Sequence, residues 1–215
     1  MICGAIFDID GTLLDSMSIW KSIGSDYLCS LGIQPKEDLS ETFKTFTLEQ
    51  SARYYQSVYG VKKSIEEIID GVNNMISAFY LETAPLKPGA SNFLNNLVNS
   101  GVKLCIATAT DQNLIEGALR RCGIWNLFSG IYTCHSIGKS KNEPDIYRAA
   151  LNFLGTDKQN TWVFEDALHA AKTAKKDGFP VAAVFDSSEK LQTELKEIAD
   201  VYIKDFRSWT PFRPK

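Results

Sequence analysis

Ile2-Cys3-Gly4-Ala5-Ile6-Phe7-Asp8-Ile9-Asp10-Gly11-Thr12 is the stretch that decides the fold. Its first six residues form a short apolar run with a single Gly. Such a run reads as a strand buried on both faces, the kind found in a parallel sheet covered by helices. Two carboxylates stand where that strand ends. In an open α/β sheet, ligands bind in the crevice beyond the carboxyl ends of the strands. Asp8 and Asp10 are therefore predicted to project into a crevice and not into the core. Gly11 lets the backbone turn sharply and approach a ligand closely. Acids two residues apart on a strand point the same way and repel, and a divalent cation is the simplest compensation. Alone, the same residues also fit an Asp-Gly turn after a strand.

Beyond Thr12 the chain changes character. Ser16 is a candidate N-cap. Ile19, Trp20, Ile23, Tyr27, Leu28 and Leu31 then recur at helical spacing as far as Gly32. Pro35 to Phe46 reads as a second helix. Leu48, Ala52, Tyr55, Val58 and Tyr59 mark a third, ending at Gly60. Ser64 with Glu67 three residues on is a capping-box signature for a fourth, whose apolar stripe runs from Ile65 to Phe79. Residues 16–84 are predicted to be an all-helical insertion, with 1–15 and 85–215 as the α/β domain. Pro85-Leu86-Lys87-Pro88-Gly89 is the return linker, stiffened by its prolines, with Gly89 as a hinge. Two short connections suit a lid that rocks, and a rigidly docked subdomain is the alternative.

From Ala90 helices and strands alternate. A helix runs to Gly101, a strand covers 102–108, and a helix covers 111–122. A strand follows at 130–134, then a helix at 144–154. The strand 161–164 runs into Glu165-Asp166. A helix at 167–178, a strand at 181–185 and a helix at 187–199 follow, and 201–203 is an edge strand or a linker. This alternation predicts a doubly wound parallel sheet, so the fold class is α/β with an inserted helical domain.

At 215 residues and 44% hydrophobic content, the chain has enough apolar material for a real core. A net charge of −3 gives no electrostatic case for nucleic acid or an anionic membrane surface. The basic residues Arg207, Arg213 and Lys215 near the end form only a short, solvated tail. No apolar run reaches the ~18 residues a membrane span needs. The five cysteines contain no C-x-x-C pair, and three lie in or beside strand-like runs, which suggests buried, reduced thiols. The chain enters a strand almost at Met1, without the pattern of a signal peptide. A cytoplasmic location is the expectation. The sequence is silent on oligomeric state, and a monomer is the default.

Four elements now stand in order: Asp8-x-Asp10-Gly11-Thr12, a strand reaching Thr108, Lys141-x-x-Pro144-Asp145, and Glu165-Asp166. In this the chain resembles the haloacid dehalogenase superfamily of phosphohydrolases. The resemblance is to the branch with an inserted helical cap, which holds beta-phosphoglucomutase and phosphoglycolate-phosphatase-like enzymes. It covers nearly the whole chain. It implies a Rossmann-like core and a Mg²⁺-dependent phosphatase acting on a small-molecule phosphate ester. By resemblance Asp8 is the nucleophile and a metal ligand. Asp10 is the general acid/base, with its backbone carbonyl on the metal. Glu165 and Asp166 complete the metal set, Glu165 directly or through water. Gly11, Thr108, Ala109 and Lys141 hold the phosphate with Asp8.

The residue chemistry agrees with these roles. A carboxylate can attack phosphorus and split one hard displacement into two. A neighbouring acid raises the pKa of one of the pair, which suits proton transfer by Asp10. A hydroxyl and free N–H groups before a helix make a phosphate cradle at Thr108. Thr108 also fits plain strand filler, and Thr110 is an alternative that could instead cap the next helix. Lys141 faces the wrong end of a helix macrodipole, which an anion would offset. Lys139 is its rival. The only histidines are His135, which could edge the site, and His169, read as structural.

The chain also departs from the pattern. Ala167 and Ala170 stand where relatives often carry Ser and Gly. Trp20 stands where the mutases carry a His, and their Ser-Arg signature is missing around Phe46 to Arg53. A hydrolase is therefore expected over a sugar-phosphate mutase, with a non-catalytic binding module as the third reading.

Overall fold

The computed structural model describes residues 2–36, 39–43 and 46–207, with Glu41 by its backbone alone. It divides into two units, Met1–Asp15 with Ala84–Lys215, and Ser16–Thr83. In the first unit six parallel strands form one sheet: β1 (Gly4–Phe7), β2 (Lys103–Thr108), β3 (Gly130–Thr133), β4 (Thr161–Glu165), β5 (Val181–Val184) and β6 (Val201–Ile203). Their spatial order is β3-β2-β1-β4-β5-β6. The 201–203 segment is thus an edge strand. The chain steps outward from β1 on one side and then returns to add β4 on the other. The order reverses between β1 and β4, and that switch point is where an open sheet leaves a crevice.

Register then places the site. Phe7 pairs with Ile106 on β2 and with Phe164 on β4. Asp8, one residue further on, comes level with Glu165, and its N–H donates to the Phe164 carbonyl at 3.0 Å. Side chains alternate across a strand. Phe7 and Phe164 stack at 4.3 Å on one face, against Phe93. Ile6 and Val163 join the core on the opposite face. Asp8 and Glu165 therefore belong to that second face.

The helical unit contains α1 (Met17–Ser30), α2 (Leu39–Phe43), α3 (Leu48–Tyr59) and α4 (Ile65–Ala78), which runs on into a π-helical turn at Phe79–Thr83. The Ser64–Glu67 capping box forms as predicted, and Thr47–Gln50 forms a second one. Gly60 closes α3 in the left-handed conformation. The Tyr55 hydroxyl donates to the Gly24 carbonyl at 2.8 Å and ties α3 to α1. The second helix is shorter than the predicted 35–46. Residues 35, 36 and 46 are not helical, and 37, 38, 44 and 45 lie outside the described residues. Ser16 stands at the N-cap of α1, but its side chain makes no capping bond.

The helices of the α/β unit are α5 (Ala90–Asn99), α6 (Gln112–Arg121), α7 (Cys134–Ile137), α8 (Asp145–Leu154), α9 (Leu168–Lys176) and α10 (Gln192–Ile198). α7 is a single turn where the sequence suggested loop, started by a Thr133–Ser136 capping box. α10 begins five residues later than predicted. Gln192 and Asp186 order the intervening turn through Gln192 Nε2 to the Asp186 carbonyl, 2.7 Å, and Ser188 N–H to Asp186 Oδ1, 2.8 Å. α8 and α9 cover the face that holds Ile6 and Val163. All five cysteines are free. Cys105 is buried, but Cys29 is exposed, so burial does not account for every thiol. Among the described residues no helix is long and apolar enough to cross a membrane. Arg207 is exposed; Arg213 and Lys215 lie outside the described residues.

The two linker segments pair with each other. Leu14 bridges Leu86 in antiparallel fashion. Asp15 N–H donates to the Pro85 carbonyl at 2.9 Å, and Lys87 N–H to the Leu13 carbonyl at 2.8 Å. Gly89, expected as a hinge, is instead clamped. It caps α5 with φ +83°, and a Cβ there would lie 2.6 Å from the Arg207 nitrogen. Replacing Gly89 by Ala should therefore add left-handed strain to a backbone clash. The expected cost is about 2 kcal/mol or more, read as a lower urea midpoint at unchanged slope.

Candidate active site

Lys141 stands in the loop between α7 and α8, on the face of the sheet that carries Asp8 and Glu165. Its ammonium is almost completely buried. It donates to Asp8 Oδ1 and, at 2.7 Å, to Glu165 Oε1. The Tyr147 hydroxyl, from the first turn of α8, donates to the same Glu165 oxygen at 2.8 Å. Asp166 follows Glu165 and accepts from Thr12 Oγ1 at 3.0 Å. One carboxylate oxygen each from Asp8, Glu165 and Asp166 lies within 4.8 Å of the others.

The remaining predicted residues surround this cluster. Gly11 turns the backbone at φ +77° and donates to the Leu14 carbonyl at 3.0 Å. Asp10 is half-buried, and its Oδ2 accepts from Thr110 Oγ1 at 2.6 Å. Its side chain is not one of the three clustered carboxylates. Thr108 is fully buried at the end of β2, and its Oγ1 accepts from Thr110 N–H at 3.2 Å. Ala109, between them, is exposed. Thr110 thus ties β2 to Asp10; Asp111, not Thr110, occupies the N-cap of α6. Lys139 pairs with Asp145 at 2.9 Å on the surface, while Lys141 reaches the acids. His135 and His169 are both exposed, and neither joins the cluster. Ala167 stands at the N-cap of α9, where Glu189 supplies the missing acceptor, taking the Leu168 N–H at 2.9 Å.

Sequence reasoning missed three contributions: Tyr147, the role of Thr12, and the Lys87–Asp186 pair. The Lys87 ammonium lies 3.0 Å from Asp186 Oδ2 and 2.5 Å from the Phe185 carbonyl. Tyr147 falls on the apolar stripe of α8, so its spacing signals core and nothing more.

The electrostatics are unbalanced. Three buried carboxylates face one buried ammonium, a formal charge of −2 (three negative, one positive). Burial pushes the Asp8 carboxyl well above its usual range; Lys141 opposes this, while Glu165, Asp166 and Asp10 add to it. Burial, then the Glu165 charge, moves Asp166 up to about 7, with Thr12 and Lys141 pulling the other way. For Lys141 burial works against the charge, but Asp8 and Glu165 outweigh it and hold its pKa above the ordinary lysine value. An all-oxygen donor set carrying excess negative charge fits a hard divalent cation.

The chain belongs to the haloacid dehalogenase-like hydrolase family, whose model matches residues 5–184. It is 26% identical over 176 residues to hexitol phosphatase B of Escherichia coli K12, covering 81% of this chain and 79% of that protein. It is 25% identical over 173 residues to the phosphorylated carbohydrates phosphatase of Thermotoga maritima, covering 80% of each. Its fold matches the beta-phosphoglucomutase structure from Clostridium difficile with TM-score 0.71 at 18% identity, over 98% of this chain and 94% of that one. The relatives cited by sequence are named as phosphatases, and proteins of this family generally use a divalent metal.

The raised Asp166 pKa has a sign that can be tested. With a folded value near 7 against 3.8, the group stabilises the fold below about pH 4, and this is lost as pH rises through 7. In metal-free protein, Asp166→Asn should therefore gain Tm relative to wild type as pH rises from 4 to 7, by several degrees. Melts in chelator across that range check it. Added divalent cation should narrow the gap by stabilising the wild type alone.

Proposed function

We propose that the chain is a Mg²⁺-dependent phosphoric monoester hydrolase that works through an aspartyl-phosphate on Asp8. The observation that carries this reading is the buried Asp8–Lys141–Glu165 arrangement at the switch point of the sheet. Lys141 occupies one Asp8 oxygen, so the other is left to act as nucleophile. That oxygen attacks phosphorus, the bond from phosphorus to the ester oxygen breaks, and Asp10 gives the leaving alkoxide a proton. Asp10 then takes a proton from water, the water oxygen attacks phosphorus, and the bond to Asp8 breaks to release inorganic phosphate. The Thr110 hydroxyl on Asp10 Oδ2 steadies that carboxyl between the two transfers.

Lys141, the Thr108 hydroxyl and the backbone N–H at Ala109 hold the phosphoryl oxygens, while Gly11, whose N–H is taken by the Leu14 carbonyl, contributes the turn and not a donor. Asp8, the Asp10 carbonyl, Glu165 and Asp166 hold the cation. When bound, Mg²⁺ offsets the repulsion between a phosphate dianion and the carboxylates, and it favours the in-line transition state. Water is the acceptor in this reading because the sequence carries Trp20 at the position where the mutases it resembles carry a His. The names of the relatives favour a sugar phosphate or a similar small metabolite. The free cysteines suit a reducing compartment, so we place the reaction in the cytoplasm.

A panel of phosphomonoesters with Mg²⁺ tests this through released phosphate. Asp8→Asn should lose about 10³-fold or more of the activity. Lys141→Ala should fall by at least about 10²-fold. Lys139→Ala should stay within a few-fold of wild type, because its surface ion pair contributes little. Release that persists in Asp8→Asn, or that needs no divalent cation, would sink the reading.

A further inference from the structure

The two oxygens of Glu165 are treated differently by the protein. Oε1 accepts two hydrogen bonds, from Lys141 at 2.7 Å and from Tyr147 at 2.8 Å. Among the described residues Oε2 accepts none. Asp166 follows the same rule, with Thr12 on Oδ1 and, among the described residues, no donor on Oδ2.

Tyr147 is well placed to enforce this division. Its side chain is fully buried in the core cluster with Ile6, Cys105 and Ala150. Its ring meets Phe179 edge-on at 6.2 Å. A ring packed this way on a helix cannot follow its partner if Glu165 swings, so the hydroxyl is a fixed donor. A phenylalanine would fill the same space with no polar atom to satisfy. A buried hydroxyl costs stability unless it is bonded, and among the described residues its partner is a carboxylate of the acidic cluster.

We infer that Tyr147 is a positioning residue for the cation site. By holding Glu165 Oε1 together with Lys141, it turns Oε2 toward the ion and keeps Lys141 free to hold Asp8. This rests on the divalent-metal reading proposed above. Donors behind metal-binding carboxylates usually set affinity, and their loss costs about 10–100-fold.

Calorimetric titration of Mg²⁺ and Mn²⁺ into the full chain tests it, without any turnover. Tyr147→Phe should weaken binding about 10-fold or more. In the phosphatase assay the same variant should need correspondingly more Mg²⁺ for half-maximal rate, and recover most of its kcat at saturating Mg²⁺. Glu165→Gln provides the second arm. With a neutral amide at 165, adding Tyr147→Phe should weaken binding less than about two-fold further, since the two residues act as one unit. Wild-type affinity in Tyr147→Phe, even with a lowered Tm, would make Tyr147 a packing residue and overturn the inference. Full additivity in the double variant would do the same. A wild-type chain that takes up neither ion would bring down the metal reading itself, an outcome separate from the others.

Discussion

A single buried ammonium ties this site together. Lys141 is shared between Asp8, which directly follows β1, and Glu165, the last residue of β4. Removing water from three charges is costly, and a buried ion pair seldom repays it as stability alone. Breaking such a set from one side is worse, since it strands a buried charge at about 3–5 kcal/mol. The sharing also fixes distances. Asp8 and Glu165 cannot drift apart without Lys141 losing one of them. The site therefore has a built-in separation between its nucleophile candidate and its metal candidates.

The sheet makes that sharing possible. Parallel pairing of β1 with β4 brings Asp8 level with Glu165, and strand alternation gives both the same face. The same face is covered by α8, so the loop entering α8 can deliver Lys141 and its first turn can deliver Tyr147. One residue of slip in the β1–β4 register would send one acid to the Phe7–Phe164 face. The stacked rings there and the Ile6–Val163 packing on the other side resist such a slip. The aromatic core is in this sense part of the site's geometry.

Much of this was legible from the residues. The apolar run before Asp8, the alternation after Ala90 and the Ser64 capping box depend on local chemistry, and local chemistry is written in sequence. The order of motifs singles out Asp8, Lys141, Glu165 and Asp166, and the fold brings these four side chains together. The Lys-x-x-Pro-Asp spacing selects Lys141 and leaves Lys139 as a rival; the path of the loop decides between them, sending Lys141 to the acids and Lys139 to Asp145. Gly89 looked like a hinge because a glycine beside prolines suits flexibility. Its actual reason is the backbone at Arg207, more than a hundred residues away. The α10 start was misplaced because Asp186 and Gln192 order the preceding turn by side-chain bonds that no periodicity records.

Tyr147 and Thr12 show where sequence reading stops in principle. Tyr147 sits on an apolar helical stripe, and Thr12 follows a glycine turn; either position would accept an apolar residue of similar shape. Their hydroxyls matter only once β4 delivers Glu165 and Asp166 within 3 Å of them. The two donors also resolve a tension in the charge balance. A second lysine in their place would neutralise the cluster and remove the driving force for binding a cation. A hydroxyl instead satisfies one oxygen of each acid and leaves the formal charge of the site unchanged. Each acid is thus held by one oxygen while the cluster keeps its formal charge of −2, which a divalent cation would offset.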